Sequence, residues 1–519
     1  MYKRYSSQIS LFDEPEMFGT IPLDPSNEWV RLSKIIPWAE FENRYEENFK
    51  SGTGQPACSA RMALGSLLIK EDYQCSDDKV VAEITMNPYL QYFIGLTAFQ
   101  YSAPFDSSML TRFRKRITPE MLDWVNDRIT GRDNSNRRPP NDRESGNSDT
   151  PEEDGQNEGT LILDATCAPQ DIRFPTDASL LNEARENAEE IIDILHEKGL
   201  TDGKKPRTYR KTARKQYNSF SKNRKKSKKL IRKTIRRQLG YLRRDLKAIR
   251  RIEELHPGCL EEKLPKRKLE RLYVIRLLYA QQMEMYQRDI HRVANRIVSL
   301  SQPWVRPIVR GKQNADVEFG AKIEMSVVNG YLRVEDMRWD AFNESTTLQA
   351  SAESYREAYG HYPKRILADT IFRTRENLQY CKAQGIHLNG PRLGKPASDP
   401  KLRREQQKEE WLESGERSEI ERDFGVGKRR YSLGCIVTKL QHTSEVAVRV
   451  IVLTINLKKK LRLLLRLLCE QLCGENFDMY TAAQCIRLAC AGVTIYITPA
   501  RLKSGRKQIL QGRRMNAAR

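Results

Sequence analysis

The sequence predicts an α/β protein: a sheet of mixed strand direction, interrupted by an antiparallel helical hairpin and preceded by an all-α N-terminal module. Three observations predict it. The runs 160–166 and 365–369 are apolar and strand-like, and each carries a single aspartate, Asp164 and Asp369. Between them, 323–328 and 331–334 flank Asn329-Gly330, the dipeptide favoured in two-residue β-hairpins. Helical and strand periods then alternate: Leu348, Ala352, Tyr355 and Tyr359 share a helix face, a helix runs from Thr374 to Gly385, and 386–389 reads as a further strand. A hairpin followed by α/β alternation makes a sheet of mixed direction.

At 519 residues the chain is long enough for two to four domains. Its net charge of +22 and pI near 9.5 point to a polyanionic partner, because clustered cations release counterions when they meet phosphates. The surplus is concentrated: 204–251 holds 22 lysines and arginines and one acid, Asp245. The ten cysteines form no CxxC pair, and the nearest grouping (Cys469, Cys473, Cys485, Cys490) has no histidine beside it, which favours reduced thiols over zinc. The N-terminus lacks an apolar signal core. The apolar run 446–457 is too short for a membrane span and is closed by Lys458, Lys459 and Lys460. A cytoplasmic protein without membrane association is expected.

Residues 1–130 form the N-terminal module: an arm to about residue 25, then short helices with Trp29, Leu32, Ile35 and Ile36 on one face, followed by 60–69, 77–86 and 89–94. A further helix opens after Asp106 or Ser107, its cap, and carries Arg112, Arg114, Lys115 and Arg116 around Leu110, Phe113 and Ile117. Such a helix suits a DNA major groove, with Arg112 and Arg114 as contacts; a solvated basic edge is the reading that spacing alone leaves beside it. Residues 131–159 are almost free of apolar side chains and read as a disordered linker.

Residues 160–460 form the α/β domain, with an insertion at 186–302. There, apolar residues recur at 231, 235, 239, 242, 246 and 249, His256-Pro257-Gly258 breaks the helix, and a second series runs from Leu269 to Leu300. Near-heptad steps on both sides of a turn predict an antiparallel coiled-coil hairpin. Its basic start, with Lys225, Lys226, Arg232 and Arg236, suits a DNA backbone; a structural insertion with a solvated charged face is the reading that stands beside it. Residues 461–519 are a helical region and tail.

A third acid lies on a late helix. Ile420 and Phe424 give it one buried edge, Arg417 and Glu421 are neighbours at i and i+4, and Lys428 follows seven residues later. Alone this is a solvated helix face. The strand aspartates alter that weighing, because a carboxylate in an apolar strand is costly unless paired, neutral or holding a metal.

The order of strands and acids resembles the RNase H-like catalytic core. Leu163-Asp164-Ala165-Thr166 with Phe174-Pro175-Thr176-Asp177, then Ala368-Asp369-Thr370, then Arg417-x3-Glu421-x6-Lys428, resemble the three blocks of DDE transposases of bacterial insertion sequences. Residues 28–129 resemble the InsH-type N-terminal module of that branch, including Phe105-Asp106-Ser107-Ser108 and Phe113-Arg114. The tyrosine of the family signature is absent; Ser414 stands there. The resemblance implies a transposase that binds the terminal repeats of its element and performs metal-dependent cleavage and strand transfer. Asp164, Asp369 and Glu421 would be catalytic and would hold two Mg²⁺ (or Mn²⁺) ions, with water and then a 3′-hydroxyl as nucleophile. Arg417 and Lys428 would contact DNA phosphates. The partners implied are element-end and target DNA and a second copy of the chain, as a homodimer in the synaptic complex. Two readings from other classes stand beside it: a non-transposing nuclease on the same fold, and a DNA-binding protein with a decayed catalytic core.

Overall fold

A computed structural model describes residues 2, 17–49, 56–132, 157–201, 203–312, 315–340, 342–390 and 400–473. Most of the expected 131–159 linker and residues 474–519 of the tail lie outside them. The described residues up to 455 form one compact unit; of the second, 456–519, the described part is a helix ending at Cys473.

A two-stranded ribbon of β1 (Met17–Phe18) and β2 (Ile21–Pro22) precedes seven helices. These are α1 (Glu28–Ile35), α2 (Trp38–Glu46), α3 (Ala60–Tyr73), α4 (Asp77–Met86), α5 (Pro88–Phe93), α6 (Met109–Arg116) and α7 (Pro119–Thr130). Side chains that accept the orphan amides of the first turn start most of them: Asn27 for α1, Ser59 for α3, Ser76 for α4 and Thr118 for α7. Helices α2 and α6 have no such cap. Asp106 accepts the Ser108 amide at 2.9 Å and shapes the turn before α6, rather than capping it.

The central sheet contains β3 (Thr160–Pro169), β4 (Arg306–Lys312), β5 (Ala315–Val328), β6 (Tyr331–Arg338), β7 (Arg365–Leu367) and β8 (His387–Leu388). Strand β3 lies between β5, its antiparallel neighbour, and β7, its parallel one; β8 continues parallel beyond β7. The far edge of β5 pairs antiparallel with β4 and with β6. The β5–β6 turn has both Asn329 and Gly330 at positive φ, +51° and +81°, the geometry that the Asn-Gly pair supplies at least cost. The result is a mixed α/β architecture.

Strand β3 is apolar along its length because both its faces are covered. On one side Ile162, Met325, Val327 and Leu367 pack against Ile420 and Phe424 of α15 (Pro400–Arg430) and Val448, Ile451 and Val452 of α16 (Gln441–Cys473). On the other, Leu161, Leu163, Ile366 and Ala368 meet Leu348, Ala352 and Tyr355 of α13 (Leu348–Tyr359) and Cys381 of α14 (Arg375–Ala383). Helix α15 passes through Gly425 and Gly427. A Cβ on Gly427 would stand 2.9 Å from Cδ2 of the buried Leu433, so a larger residue there would have to displace that side chain from the 432–434 turn.

Between β3 and β4 the chain builds α8 (Asp177–Glu197), α9 (Arg210–Lys222), α10 (Lys228–Leu255), α11 (Cys259–Lys263) and α12 (Lys266–Arg288). The two helices of the expected hairpin are α10 and α12, parted at the 256–258 break, but α8 packs against both and makes the insertion more than a hairpin. Leu181, Ala184, Ala188, Ile191 and Leu195 of α8 share one core with Leu239, Leu242 and Ile249 of α10 and Leu272, Ile275 and Leu278 of α12. Three helices enclose a core that two would leave half open. The second helix of the expected hairpin also stops at Arg288, with Asp289 at φ +53°, short of the Leu300 to which the apolar series extends; Ile297 and Leu300 still pack on the bundle from non-helical chain.

The N-terminal helices meet the sheet through α7. Asn126 donates to the Leu332 carbonyl, Arg333 pairs with Asp127 at 3.0 Å, and Arg132 pairs with Glu335 at 2.9 Å. These contacts cover the β6 edge, which would otherwise be open to strand pairing. No helix among the described residues is long and apolar enough to cross a membrane.

Candidate active site

Parallel register brings the two aspartates together. Ile162 is the partner of Leu367; two residues further along both strands stand Asp164 and Asp369. Side chains alternate, so each shares the face of its strand's apolar residue, the face covered by α15. Ile420 and Phe424 seat α15 on that face, and the i, i+4 geometry puts Arg417 and Glu421 on its neighbouring edge.

Asp164 is the most constrained of the three. Burial pushes its carboxyl up to about 6, opposed by the Ala165 amide at 2.8 Å and by the Arg417 guanidinium, and reinforced by Glu344 and Asp369. Asp369 and Arg417 therefore both lie close enough to act on Asp164. Asp369 is exposed, just past the end of β7, and accepts the Thr370 amide at 2.6 Å. Glu421 is exposed and pairs with Arg417 at 3.2 Å. Arg417 thus stands between the strand acids and the helix acid. Lys428 lies two helical turns beyond Glu421, half-buried, where α15 approaches the 432–434 turn. Other acids of the same helix have different surroundings: Glu416 pairs with Arg365 at 2.9 Å, and Asp423 is buried.

Two neighbouring acids escape a reading of the sequence. Glu344 influences Asp164 and pairs with Lys322 at 2.8 Å. Glu324, on β5 opposite Ala165, is fully buried, and burial pushes it up to about 7 while Ser351 donates to it at 3.2 Å. Glu324 carries the signal that singles out Asp164, an acid inside an apolar strand. It faces α13, away from α15.

The basic residues divide sharply. Arg112 is exposed on α6, whereas Arg114 is held by both guanidinium arms on Asp77, at 3.0 and 2.5 Å, with Lys70 on the same carboxylate. Lys225 and Arg236 are exposed. Lys226 is exposed but lies over the Phe220 ring and donates to the Asn223 carbonyl, and Arg232 pairs with Asp289 and lies over Tyr286. Lys211, Arg214, Lys215 and Lys222, all exposed, line an open groove along α9, a surface that the sequence shows only as part of a charge run.

The three carboxylates offer hard oxygen donors, a set that fits Mg²⁺ or Mn²⁺. Burial of Asp164 among other acids gives the group a deficit of positive charge that divalent ions would meet.

Two stretches of the chain match known families. Residues 20–116 match the family described as Transposase domain (DUF772), and residues 366–458 match the Transposase DDE domain. The second stretch contains Asp369, Arg417, Glu421 and Lys428; Asp164 lies outside it. A relative from Rhizobium meliloti, "Uncharacterized protein ORF8 in nfe locus", is 39% identical over 101 residues, 20% of this chain. The chain covers 48% of that relative's length. No solved structure matches.

Proposed function

We propose that this chain, which carries two transposase domains, cuts and joins DNA at a single three-carboxylate centre. The observation that carries this reading is that β3 and β7, adjacent and parallel, bring together Asp164 and Asp369, the latter just past the end of β7, on the face covered by the helix that bears Arg417 and Glu421. The strand order, with β5 and β6 antiparallel on one side of β3 and β7 and β8 parallel on the other, supports an RNase H-like core.

Asp164, Asp369 and Glu421 would hold two Mg²⁺ or Mn²⁺ ions. Bound there, the ions would activate the attacking oxygen and stabilise the departing one. Arg417 leaves Glu421 for a scissile phosphate, and its fork orients that phosphate above the strand ends. Lys428, two turns away, adds a point charge along the same strand of DNA. Arg112, Lys225, Arg236 and the α9 groove bind the backbone of the element end without reading its sequence. Two copies of the chain would hold the two ends together.

The test is a strand-transfer assay. The full chain is incubated with Mg²⁺, a fragment carrying the DNA that flanks its gene, and a target plasmid. Cleavage at the element ends followed by joining to the plasmid is the expected result. Cleavage without joining would make the chain a nuclease, and specific binding with neither step would leave a DNA-binding protein.

A further inference from the structure

A second constellation of ligands stands at the opposite end of the sheet. His387 opens β8 in register with Arg365, the first residue of β7, whereas Asp369 lies past the last. Glu409 and Glu413 sit at i and i+4 on α15, and Glu413 precedes Glu421 by eight residues, about 12 Å along the helix. One ligand atom from each of His387, Glu409 and Glu413 lies within 4.8 Å of the other two. His387 Nε2 is 2.7 Å from Glu413 Oε1.

Glu413 makes this more than a surface cluster. Its side chain is 6% exposed, and its partner is the half-exposed His387. A buried carboxylate needs partners for both of its oxygens, and a second carboxylate, Glu409, shares the same small space. Arg365, the cation in register with His387, is occupied by Glu416. One imidazole nitrogen and two carboxylate oxygens that share a volume of this size suit a dication.

We infer that His387, Glu409 and Glu413 form a second metal site, separate from the three-carboxylate centre, for a first-row transition ion of the Zn²⁺ type. The imidazole decides the class: Mg²⁺ favours oxygen ligands alone, while Zn²⁺ takes nitrogen and oxygen at about 2.0–2.2 Å and completes a tetrahedron with water. Tetrahedral ligands at those lengths stand roughly 3.3 Å apart, so His387 and Glu413, now 2.7 Å apart, would part by about 0.6 Å. The ion would tie α15 to β8 on either side of the chain that joins them. Its role is to fix the helix that also carries Arg417 and Glu421.

The experiment uses the full, untagged chain with Asp164→Asn, Asp369→Asn and Glu421→Gln combined, so that the catalytic reading does not enter. Zn²⁺ binding is measured by competition with a chromophoric chelator, and Co²⁺ binding by its visible absorption bands. One equivalent of Zn²⁺ and a tetrahedral Co²⁺ spectrum are expected. His387→Gln or Glu409→Gln, both at exposed positions, should weaken binding at least tenfold and abolish the bands. Absence of binding in the triple variant, or binding and bands unchanged by His387→Gln and Glu409→Gln, would overturn the site.

Discussion

Asp164 and Glu421 are assigned one task and stand in opposite surroundings. Asp164 is held on the middle strand, with β5 and β7 on either side, and burial pushes its carboxyl up to about 6. Glu421 is 54% exposed, on a helix edge, with one arginine as partner. The strand acid is placed by the sheet and bears a desolvation cost in every folded molecule. The helix acid costs the fold almost nothing and owes its position to how Ile420 and Phe424 seat α15. A site assembled from both kinds joins a rigid, strained member to an adjustable one.

The largest test is of the shared task. Asp164→Asn and Glu421→Gln should each lower cleavage of element-end DNA by more than about a hundredfold, beyond what loss of an outer-sphere partner typically costs. DNA binding, measured by fluorescence anisotropy, should stay within about twofold, since neither acid contacts DNA without metal. Normal cleavage by Glu421→Gln would remove the helix acid from the site and leave the strand pair alone.

Stability should then separate them. The folded-state value of Asp164 lies above its ordinary 3.8, so the stability linked to its neutral form is fully present below that value and is lost as pH rises through about 6. Asp164→Asn removes a charge that the fold resists. In metal-free buffer at pH 8 it should stabilise the protein by about 1–3 kcal/mol, and the gain should shrink to nothing near pH 4. Glu421→Gln should stay within about 0.5 kcal/mol across that range, as exposed substitutions do. Denaturant titrations at several pH values measure both. A loss of stability in Asp164→Asn at pH 8 would place the carboxylate in a favourable ion pair instead.

Arg417 links the two acids and gives a smaller, sharper test. It lowers the Asp164 value and pairs with Glu421. Arg417→Gln should therefore move the pH dependence of stability to higher pH, with the wild-type profile returning in Arg417→Lys. A profile identical in Arg417→Gln and wild type would confine Arg417 to Glu421.

The same contrast explains what can be read from the residues alone. Asp164 and Asp369 announce themselves because an acid in an apolar strand is chemically odd, and the Asn329-Gly330 turn follows from local backbone preference. Glu421 has no such local mark; only its spacing to Arg417 and Lys428 separates it from Glu416, Glu419 and Asp423. The helical insertion differs from its expected form for a related reason. Periodicity reports that a face is apolar, not how many partners cover it, so α8, with its own stripe of Leu181, Ala184, Ala188, Ile191 and Leu195, does not announce itself as the third wall of the bundle. Charge runs are the least legible of all, because the sequence counts cations and the fold decides which are already paired.

That last point separates the neighbours Arg112 and Arg114, and its effects are the smallest. Arg114 is fixed on Asp77, with its side chain 11% exposed. Arg114→Ala should destabilise the protein by about 1–3 kcal/mol, since a half-buried carboxylate loses its bidentate partner and keeps only Lys70. It should leave the salt dependence of DNA binding unchanged. Arg112→Ala should do the reverse: unfolding within about 0.5 kcal/mol of wild type, and a salt slope shallower by about 1, for the one phosphate that Arg112 would neutralise. Substituting Lys211, Arg214 and Lys215 together should flatten the slope further, by up to about 3. If Arg114→Ala flattens the slope and Arg112→Ala does not, the ion pair with Asp77 opens on DNA, and α6 presents its other edge to the groove.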